Sequence, residues 1–116
     1  MDIHLYGIPN CDSIRKARQW LKAQNIDYMF HDFKKEGIDQ VQLTTWCATV
    51  SWEVLLNKRG MMWRKLSNQE KQAIDGEAAA ITLMCRIPTI IKRPILCFNG
   101  QVHVAFTADK YEALLK

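Results

Sequence analysis

The spacing of apolar residues changes along the first third of the chain and predicts a strand–helix–strand unit. Ile3–Tyr6 form a short apolar strand that ends at the turn signal Gly7-Ile8-Pro9. Apolar residues then recur at helical spacing from Cys11 to about Gln24, with Asn10 as the expected N-cap. Residues 26–33 alternate and predict a second strand. A right-handed crossover between the two strands would make them parallel.

The central part of the chain, about residues 38–86, predicts helices only, because its apolar residues recur at helical spacing. Ser51 is the expected cap of one helix. Ser67, with Glu70 three residues later, is a capping-box pattern that begins another. Gly76 separates this helix from a further apolar one. The first helix of this central part is expected to bury one apolar face, made of Val41, Leu43, Trp46, Cys47 and Val50.

The last part of the chain returns to strand patterning. Residues 88–98 are rich in β-forming residues, with Pro94 among them, and Asn99-Gly100 is a strong hairpin signal. Residues 101–106 alternate as a returning strand, and Thr107 is the expected cap of a last helix. The order βαβ, helical insertion, ββα predicts an α/β fold with a mixed sheet flanked by helices.

Composition narrows the class of protein. The 116 residues fit one domain, 1–116, and a net charge of +4 with no basic aromatic run argues against nucleic-acid binding. The chain has neither a signal-peptide pattern nor a membrane-spanning apolar stretch, so we expect a cytoplasmic monomer. A reducing compartment and the wide cysteine spacing predict free thiols and no metal site. Three cysteines at predicted apolar positions are expected to be structural, with a resolving thiol as the alternative role for one of them: Cys47, Cys85 and Cys97.

Cys11 is the main candidate for chemistry because it stands where the first strand gives way to the first helix. The free backbone N–H groups and the dipole of a helix start stabilise a thiolate. The same helix start, with Asn10, Asp12, Ser13 and Arg15, can bind an anion beside the sulfur. Asp12 opposes ionisation and Arg15, one turn further on, offsets it. The other interpretation is a small buried residue in a strand–helix turn.

Two arginines are candidate anion ligands. A proline within an expected strand indicates either an edge strand or a cis Arg93–Pro94 bond that turns the backbone towards a ligand. In the second case Arg93 would face the same pocket as Cys11, where its planar charged fork suits an oxyanion or a carboxylate. Arg59, followed by Gly60 in a tight turn, is either a further ligand or a solvated charge.

Three runs in this order are similar to a known family: Leu5–Asp12, Leu55–Gly60 followed by Trp63–Leu66, and Pro88–Leu96. They resemble the arsenate reductase family of thioredoxin-like proteins, most closely its YffB-like subgroup. The resemblance covers essentially the whole chain. It implies a thioredoxin-like core with a helical insertion. It also implies Cys11 as nucleophile, Arg93 as ligand of an oxyanion or thiol co-substrate beside a cis Pro94, and Arg59 as an arginine shared with the related Spx regulators.

The resemblance also implies glutathione as thiol co-substrate, with glutaredoxin as a further partner and no bound cofactor. The arsenate reductases carry another arginine after the hairpin, which aligns near Phe106, and no arginine follows Arg93 here. Since each charge-assisted hydrogen bond contributes roughly 1.5–3 kcal/mol, arsenate should bind less well. Many Spx-type regulators have a second cysteine where this chain has Ile14. We therefore expect a glutathione-dependent thiol reductase of a disulfide or small oxyanion, ahead of an arsenate reductase and of a regulator that contacts RNA polymerase.

Overall fold

The computed structural model describes residues 2–116. The strands are β1 (His4–Gly7), β2 (Met29–Asp32), β3 (Ile95–Phe98) and β4 (Gln101–Val104). The helices are α1 (Asp12–Ala23), α2 (Phe33–Glu36), α3 (Gln40–Cys47), α4 (Trp52–Leu55), α5 (Met61–Arg64), α6 (Asn68–Gln72), α7 (Glu77–Arg86) and α8 (Ala108–Leu115). No helix of residues 2–116 is long and apolar enough to cross a membrane.

The chain forms two compact units. The first runs from the start of the chain to Asp32 and continues from Arg93 to Lys116, and the second is Phe33–Lys92. The insertion expected at 38–86 falls within the second unit. One domain over 1–116 stays a prediction.

The first unit contains a four-stranded mixed sheet in the order β2-β1-β3-β4. β1 and β2 are parallel, as the strand–helix–strand pattern predicts, whereas β3 is antiparallel to both β1 and β4. The apolar stripe of α1 packs with α8 against one face of this sheet. Their shared core consists of Ile3, Leu5, Ala17, Leu21, Leu96, Phe98 and Tyr111. This arrangement confirms the α/β class and the mixed sheet.

The second unit is helical. α3 packs along α7, and a 3-10 turn at Pro88–Ile90 packs against α7 as well. Side chains cap the helices where the sequence predicts it: Ser51 accepts from the Glu53 amide, and Ser67 and Glu70 form the reciprocal capping box. The buried apolar side chains of this unit are Phe33, Leu43, Trp46, Leu55, Leu56, Ala80, Ile81, Leu83, Met84, Ile90 and Ile91.

Several predicted boundaries were wrong. The second strand covers only Met29–Asp32, because Phe33 turns into α2 and is itself buried. Val41 does not belong to the apolar face of α3, since its side chain is 76% exposed. The strand expected at 101–106 ends at Val104, because Ala105 has a positive φ of 72° that breaks the extended backbone.

The segment expected to be β-rich from 88 to 98 is a strand only in its last four residues. Pro88 starts a 3-10 turn instead, in which the amides of Ile90 and Ile91 donate to the carbonyls of Ile87 and Pro88. Pro94 therefore does not interrupt a strand but immediately precedes β3. Its carbonyl accepts from the Ala105 amide at 3.0 Å, which joins the start of β3 to the end of β4.

Candidate active site

Cys11 is the N-cap of α1. Its backbone is extended, with φ −129° and ψ 129°, and its carbonyl accepts the first helical hydrogen bond from the Arg15 amide at 2.9 Å. Asn10 was predicted as the cap, and that prediction is wrong, because Cys11 is the last extended residue before the helix. Asn10 lies exposed in the preceding turn. The helix start therefore presents its free N–H groups to a thiol rather than to an amide side chain.

Several neighbours decide the ionisation of Cys11. Burial opposes the charge. The backbone N–H of Ile14, the guanidinium of Arg93 and the backbone N–H of Ser13 together outweigh burial and lower the pKa of Cys11 from its ordinary value of 9.0. The Cys11 side chain makes no capping hydrogen bond of standard geometry. The backbone N–H groups therefore act on the thiolate form of Cys11. The diffuse negative charge of a thiolate is stabilised by N–H groups at longer range than a neutral thiol is.

Arg93 reaches Cys11 from the segment that precedes β3. Its guanidinium favours the Cys11 thiolate through hydrogen bonding and through its charge, and both effects lower the pKa of Cys11. The peptide bond from Arg93 to Pro94 is cis, and Pro94 is buried while Arg93 is half-buried. The structure thus brings together the two residues that the sequence placed in one pocket. A half-buried thiolate beside a permanently charged guanidinium suits nucleophilic attack and anion binding.

Gly7, at the end of β1, is a part of this site that the sequence analysis treated only as a turn signal. It is buried, and a Cβ atom there would collide with Cδ1 of Ile14 and lie 2.7 Å from its Cγ1. The same Cβ would lie 3.9 Å from Cβ of Arg93, which is ordinary contact. The absence of a side chain at Gly7 lets the first turn of α1 approach the strand. A glycine at the end of a strand is compatible with such a close approach, but it does not identify the partner.

The other predicted ligands contribute less to the sulfur. Asp12 and Arg15 form an ion pair at 3.4 Å with side chains 86% and 59% exposed, so the charge of Arg15 is directed to Asp12. Ser13 acts through its backbone, and its side chain is exposed. Arg59 is exposed in the second unit, where its backbone N–H donates to Asn57 Oδ1 at 3.1 Å. Ligand roles for the side chains of Asn10, Asp12, Ser13, Arg15 and Arg59 stay predictions.

The remaining cysteines form no disulfide and are half-buried. Burial, followed by the charge of Glu77, raises the pKa of Cys47, and burial with Asp39 raises the pKa of Cys85. Cys47 is the last residue of α3 and feels the charge of Glu77, the first residue of α7. Cys85 lies near the end of α7 and feels the charge of Asp39, the N-cap of α3. The two thiols are therefore at opposite ends of this helix pair and are less readily ionised than Cys11.

Comparison with known proteins gives a consistent result. The model of the ArsC family matches residues 6–114. The solved YFFB protein is 45% identical, with a TM-score of 0.93 and coverage of 98% of this chain and 99% of that one. An arsenate reductase (ArsC) related protein from Brucella melitensis is 45% identical, with a TM-score of 0.79 and coverage of 100% and 96%. The global transcriptional regulator Spx of Streptococcus pyogenes is 26% identical over 116 residues, which are 97% of this chain and 84% of Spx.

Proposed function

The chain belongs to the ArsC family, and from this premise we propose that it is a glutathione-dependent thiol reductase whose nucleophile is Cys11. Its family supports a thiol-dependent oxidoreductase in general. The observation that carries the specific proposal is the lowered pKa of Cys11 between the amides of α1 and the guanidinium of Arg93. A thiolate population at neutral pH is what thiol–disulfide exchange requires.

In the first step the Cys11 thiolate attacks one sulfur of a disulfide substrate. A new bond forms between Cys11 Sγ and that sulfur, the substrate S–S bond breaks, and the second substrate sulfur leaves as a thiolate that takes a proton from solvent. The guanidinium of Arg93 stabilises the negative charge while it moves along the three sulfurs. Because the guanidinium of Arg93 already lowers the pKa of Cys11, the same charge is available to the sulfurs that react there.

In the second step a glutathione thiolate attacks the mixed disulfide and releases Cys11 as a thiolate. When the substrate is a glutathionylated thiol, the first step gives the reduced substrate and a Cys11–glutathione disulfide, and one glutathione then converts that disulfide to oxidised glutathione and the Cys11 thiolate. With a disulfide that carries no glutathione, a second glutathione must reduce the mixed disulfide of substrate and glutathione, so two glutathione molecules supply the two electrons. An external thiol is needed because the position one turn beyond Cys11 is Ile14, which is fully buried. The raised pKa values of Cys47 and Cys85 also make them poor resolving thiols.

Arsenate reduction is the second candidate, favoured by the pairing of a guanidinium with helix-start amides, which suits an oxyanion. Arsenic acid and two glutathione thiols would give arsenous acid, oxidised glutathione and water. The position near Phe106, which the resemblance assigns to another arginine, contributes no donor here. Phe106 instead packs edge-on against Tyr111, with ring centroids 4.7 Å apart. Steady-state arsenate reduction with glutathione and glutaredoxin, abolished by Arg93→Ala, would support this candidate, and absence of turnover would remove it.

A regulator that contacts RNA polymerase is the third candidate, favoured by similarity to Spx over nearly the whole chain. Ile14 replaces the second cysteine expected of a redox-switched regulator. A pull-down in which the purified polymerase α subunit fails to bind this chain would end this candidate.

Mass spectrometry after incubation with oxidised glutathione tests the leading proposal. We expect one glutathione adduct, on the peptide that contains Cys11, and none on the peptides with Cys47, Cys85 or Cys97. Cys11→Ser should abolish both the adduct and the glutathione-dependent reduction of a small disulfide. Arg86→Ala is the matched control, since Arg86 pairs with Glu70 and does not act on Cys11. An adduct spread over several cysteines, or full turnover by Cys11→Ser, would refute the proposal.

A further inference from the structure

Two histidines meet on neighbouring strands of the sheet. His4 begins β1 and His31 lies in β2, and the parallel register places His31 opposite Tyr6. His4 Nδ1 and His31 Nε2 are 2.9 Å apart, with ring centroids 5.1 Å apart. The ring of His31 also stacks on Tyr6 at 4.4 Å, so its orientation is fixed by packing. Both imidazoles are half-buried, and Cys11 lies beyond the other end of β1.

From this geometry we propose that His4 and His31 bind a divalent transition-metal ion at a site separate from Cys11. Neutral imidazole nitrogen is the side-chain ligand that Ni²⁺, Cu²⁺ and Zn²⁺ share. With metal–nitrogen distances of about 2.0–2.1 Å, nitrogens this far apart subtend about 90° at the ion. That is the angle between adjacent ligands in octahedral or tetragonal coordination, so the pair suits Ni²⁺ and Cu²⁺ better than tetrahedral Zn²⁺.

Binding requires a small change in the imidazole pair. Without metal one ring donates N–H to the other, so only one of the two facing nitrogens carries an in-plane lone pair, and that lone pair accepts the hydrogen bond. The donor ring must move its proton to its other nitrogen, and a ring must rotate so that both lone pairs meet at the ion. Since His31 is stacked on Tyr6, His4 is the ring that we expect to rotate.

An open cavity of about 190 Å³ adjoins His4 and provides room for the other ligands of the ion. It is lined by Asp2, Ile3, His4, Asp27, Tyr28 and Met29. The carboxylates of Asp2 and Asp27 are exposed and give the cavity a negative charge, which favours a cation. No group of three metal-ligating side chains occurs within residues 2–116. The protein therefore supplies two ligands, and water completes the coordination.

The third histidine of the chain provides a matched control. His103 is on β4, where its Nε2 pairs with Gln101 Oε1 at 3.1 Å and its ring stacks on Phe98. Untagged protein with Cys11 alkylated is titrated with NiCl₂ by calorimetry. We expect one Ni²⁺ per chain, a Kd raised about 100-fold in His4→Gln and in His31→Gln because the chelate is lost, and no change in His103→Gln. Loss of binding in only one of the first two variants would overturn the proposal.

A second measurement needs no substitution. Paramagnetic Ni²⁺ added to the wild-type protein should broaden the imidazole proton resonances of His4 and His31 and leave those of His103 sharp. Equal broadening of all three, or no heat of binding at millimolar Ni²⁺, would overturn the proposal. Binding of Ni²⁺ at His4 and His31 does not depend on formation of the glutathione adduct at Cys11. Failure of the metal proposal can therefore be distinguished from failure of the proposed reductase function.

Discussion

Replacing Gly7 with alanine tests whether the close approach of α1 to β1 sets the reactivity of Cys11. The new methyl group would collide with Ile14 Cδ1 and lie 2.7 Å from Ile14 Cγ1. Ile14 is fully buried and its backbone N–H is the strongest stabilising influence on the Cys11 thiolate. The added methyl must therefore displace the buried Ile14 side chain. We expect this to shift the first turn of the helix and to raise the pKa of Cys11.

The stability cost follows from the same contact. Overpacking of a buried site destabilises by about 1–3 kcal/mol, and Ile14→Ala alone should cost about 2–5 kcal/mol through the cavity it leaves. In the double variant the Gly7→Ala methyl enters the space that Ile14→Ala vacates. The double variant should therefore be more stable than the sum of the single effects predicts, with a coupling of about 1–3 kcal/mol.

Two assays separate the effect on the thiol from the effect on folding. Urea unfolding gives the four free energies of the cycle, and the pH dependence of iodoacetamide alkylation gives the pKa of Cys11 in each variant. We expect Gly7→Ala to slow alkylation at neutral pH and the double variant to restore part of the rate. Additive free energies, or an unchanged alkylation profile in Gly7→Ala, would refute the reasoning.

Four further predictions concern individual side chains. Arg93→Ala removes the guanidinium that stabilises the thiolate, so the pKa of Cys11 should rise and its alkylation by iodoacetamide at neutral pH should slow severalfold. The control Arg86→Ala should leave the alkylation rate unchanged. Equal rates in the wild type and in both variants would contradict this prediction. The buried Tyr111 hydroxyl has no hydrogen-bond partner within residues 2–116, so Tyr111→Phe should raise the free energy of unfolding in urea by about 1 kcal/mol. Tyr28→Phe should instead lower the free energy of unfolding by about 1.5–3 kcal/mol, because the Tyr28 hydroxyl accepts from the guanidinium of Arg18 at 2.9 Å. A similar loss of stability in both variants would argue against an unpartnered Tyr111 hydroxyl. Since the folded pKa of Cys11 is lowered from 9.0, its thiolate stabilises the fold fully above that pH, and this contribution is lost as pH falls through the lowered pKa. The difference in unfolding free energy between the wild type and Cys11→Ser should therefore increase from neutral pH to pH 9.0, and a difference independent of pH would exclude a depressed pKa.

The parts of the fold that local chemistry determines were predictable. Ile14, Ala17 and Leu21 recur at helical spacing, and all three are fully buried on α1. Asn99-Gly100 predicted a hairpin, and both residues have the positive φ values, 51° and 71°, that a tight turn between β3 and β4 requires. In both cases the signal lies within a short segment of the chain, one helix or one turn, and the distant contacts agree with it.

The parts that depend on distant contacts could not be read from the sequence in the same way. The propensity of asparagine for helix starts predicted Asn10 as the N-cap of α1. The path of the chain between the end of β1 and α1 instead places Cys11 at that position. The pairing of His4 with His31 depends on the register of β1 against β2, which no local pattern specifies. The role of Gly7 likewise appears only when Ile14 is packed above it.

The packing of the Phe106 side chain bears on the choice between a disulfide and arsenate as substrate. A tetrahedral oxyanion presents several oxygens that each need a donor, whereas disulfide exchange develops charge on sulfur atoms in a line beside one guanidinium. Phe106 packs edge-on against Tyr111, and Tyr111 meets Trp20 in a second edge-on contact at 5.9 Å. An arginine there would place a charge in this aromatic cluster, so the position serves packing rather than anion binding. A site with Arg93 as its charged donor at Cys11 therefore matches the needs of a disulfide better than those of arsenate.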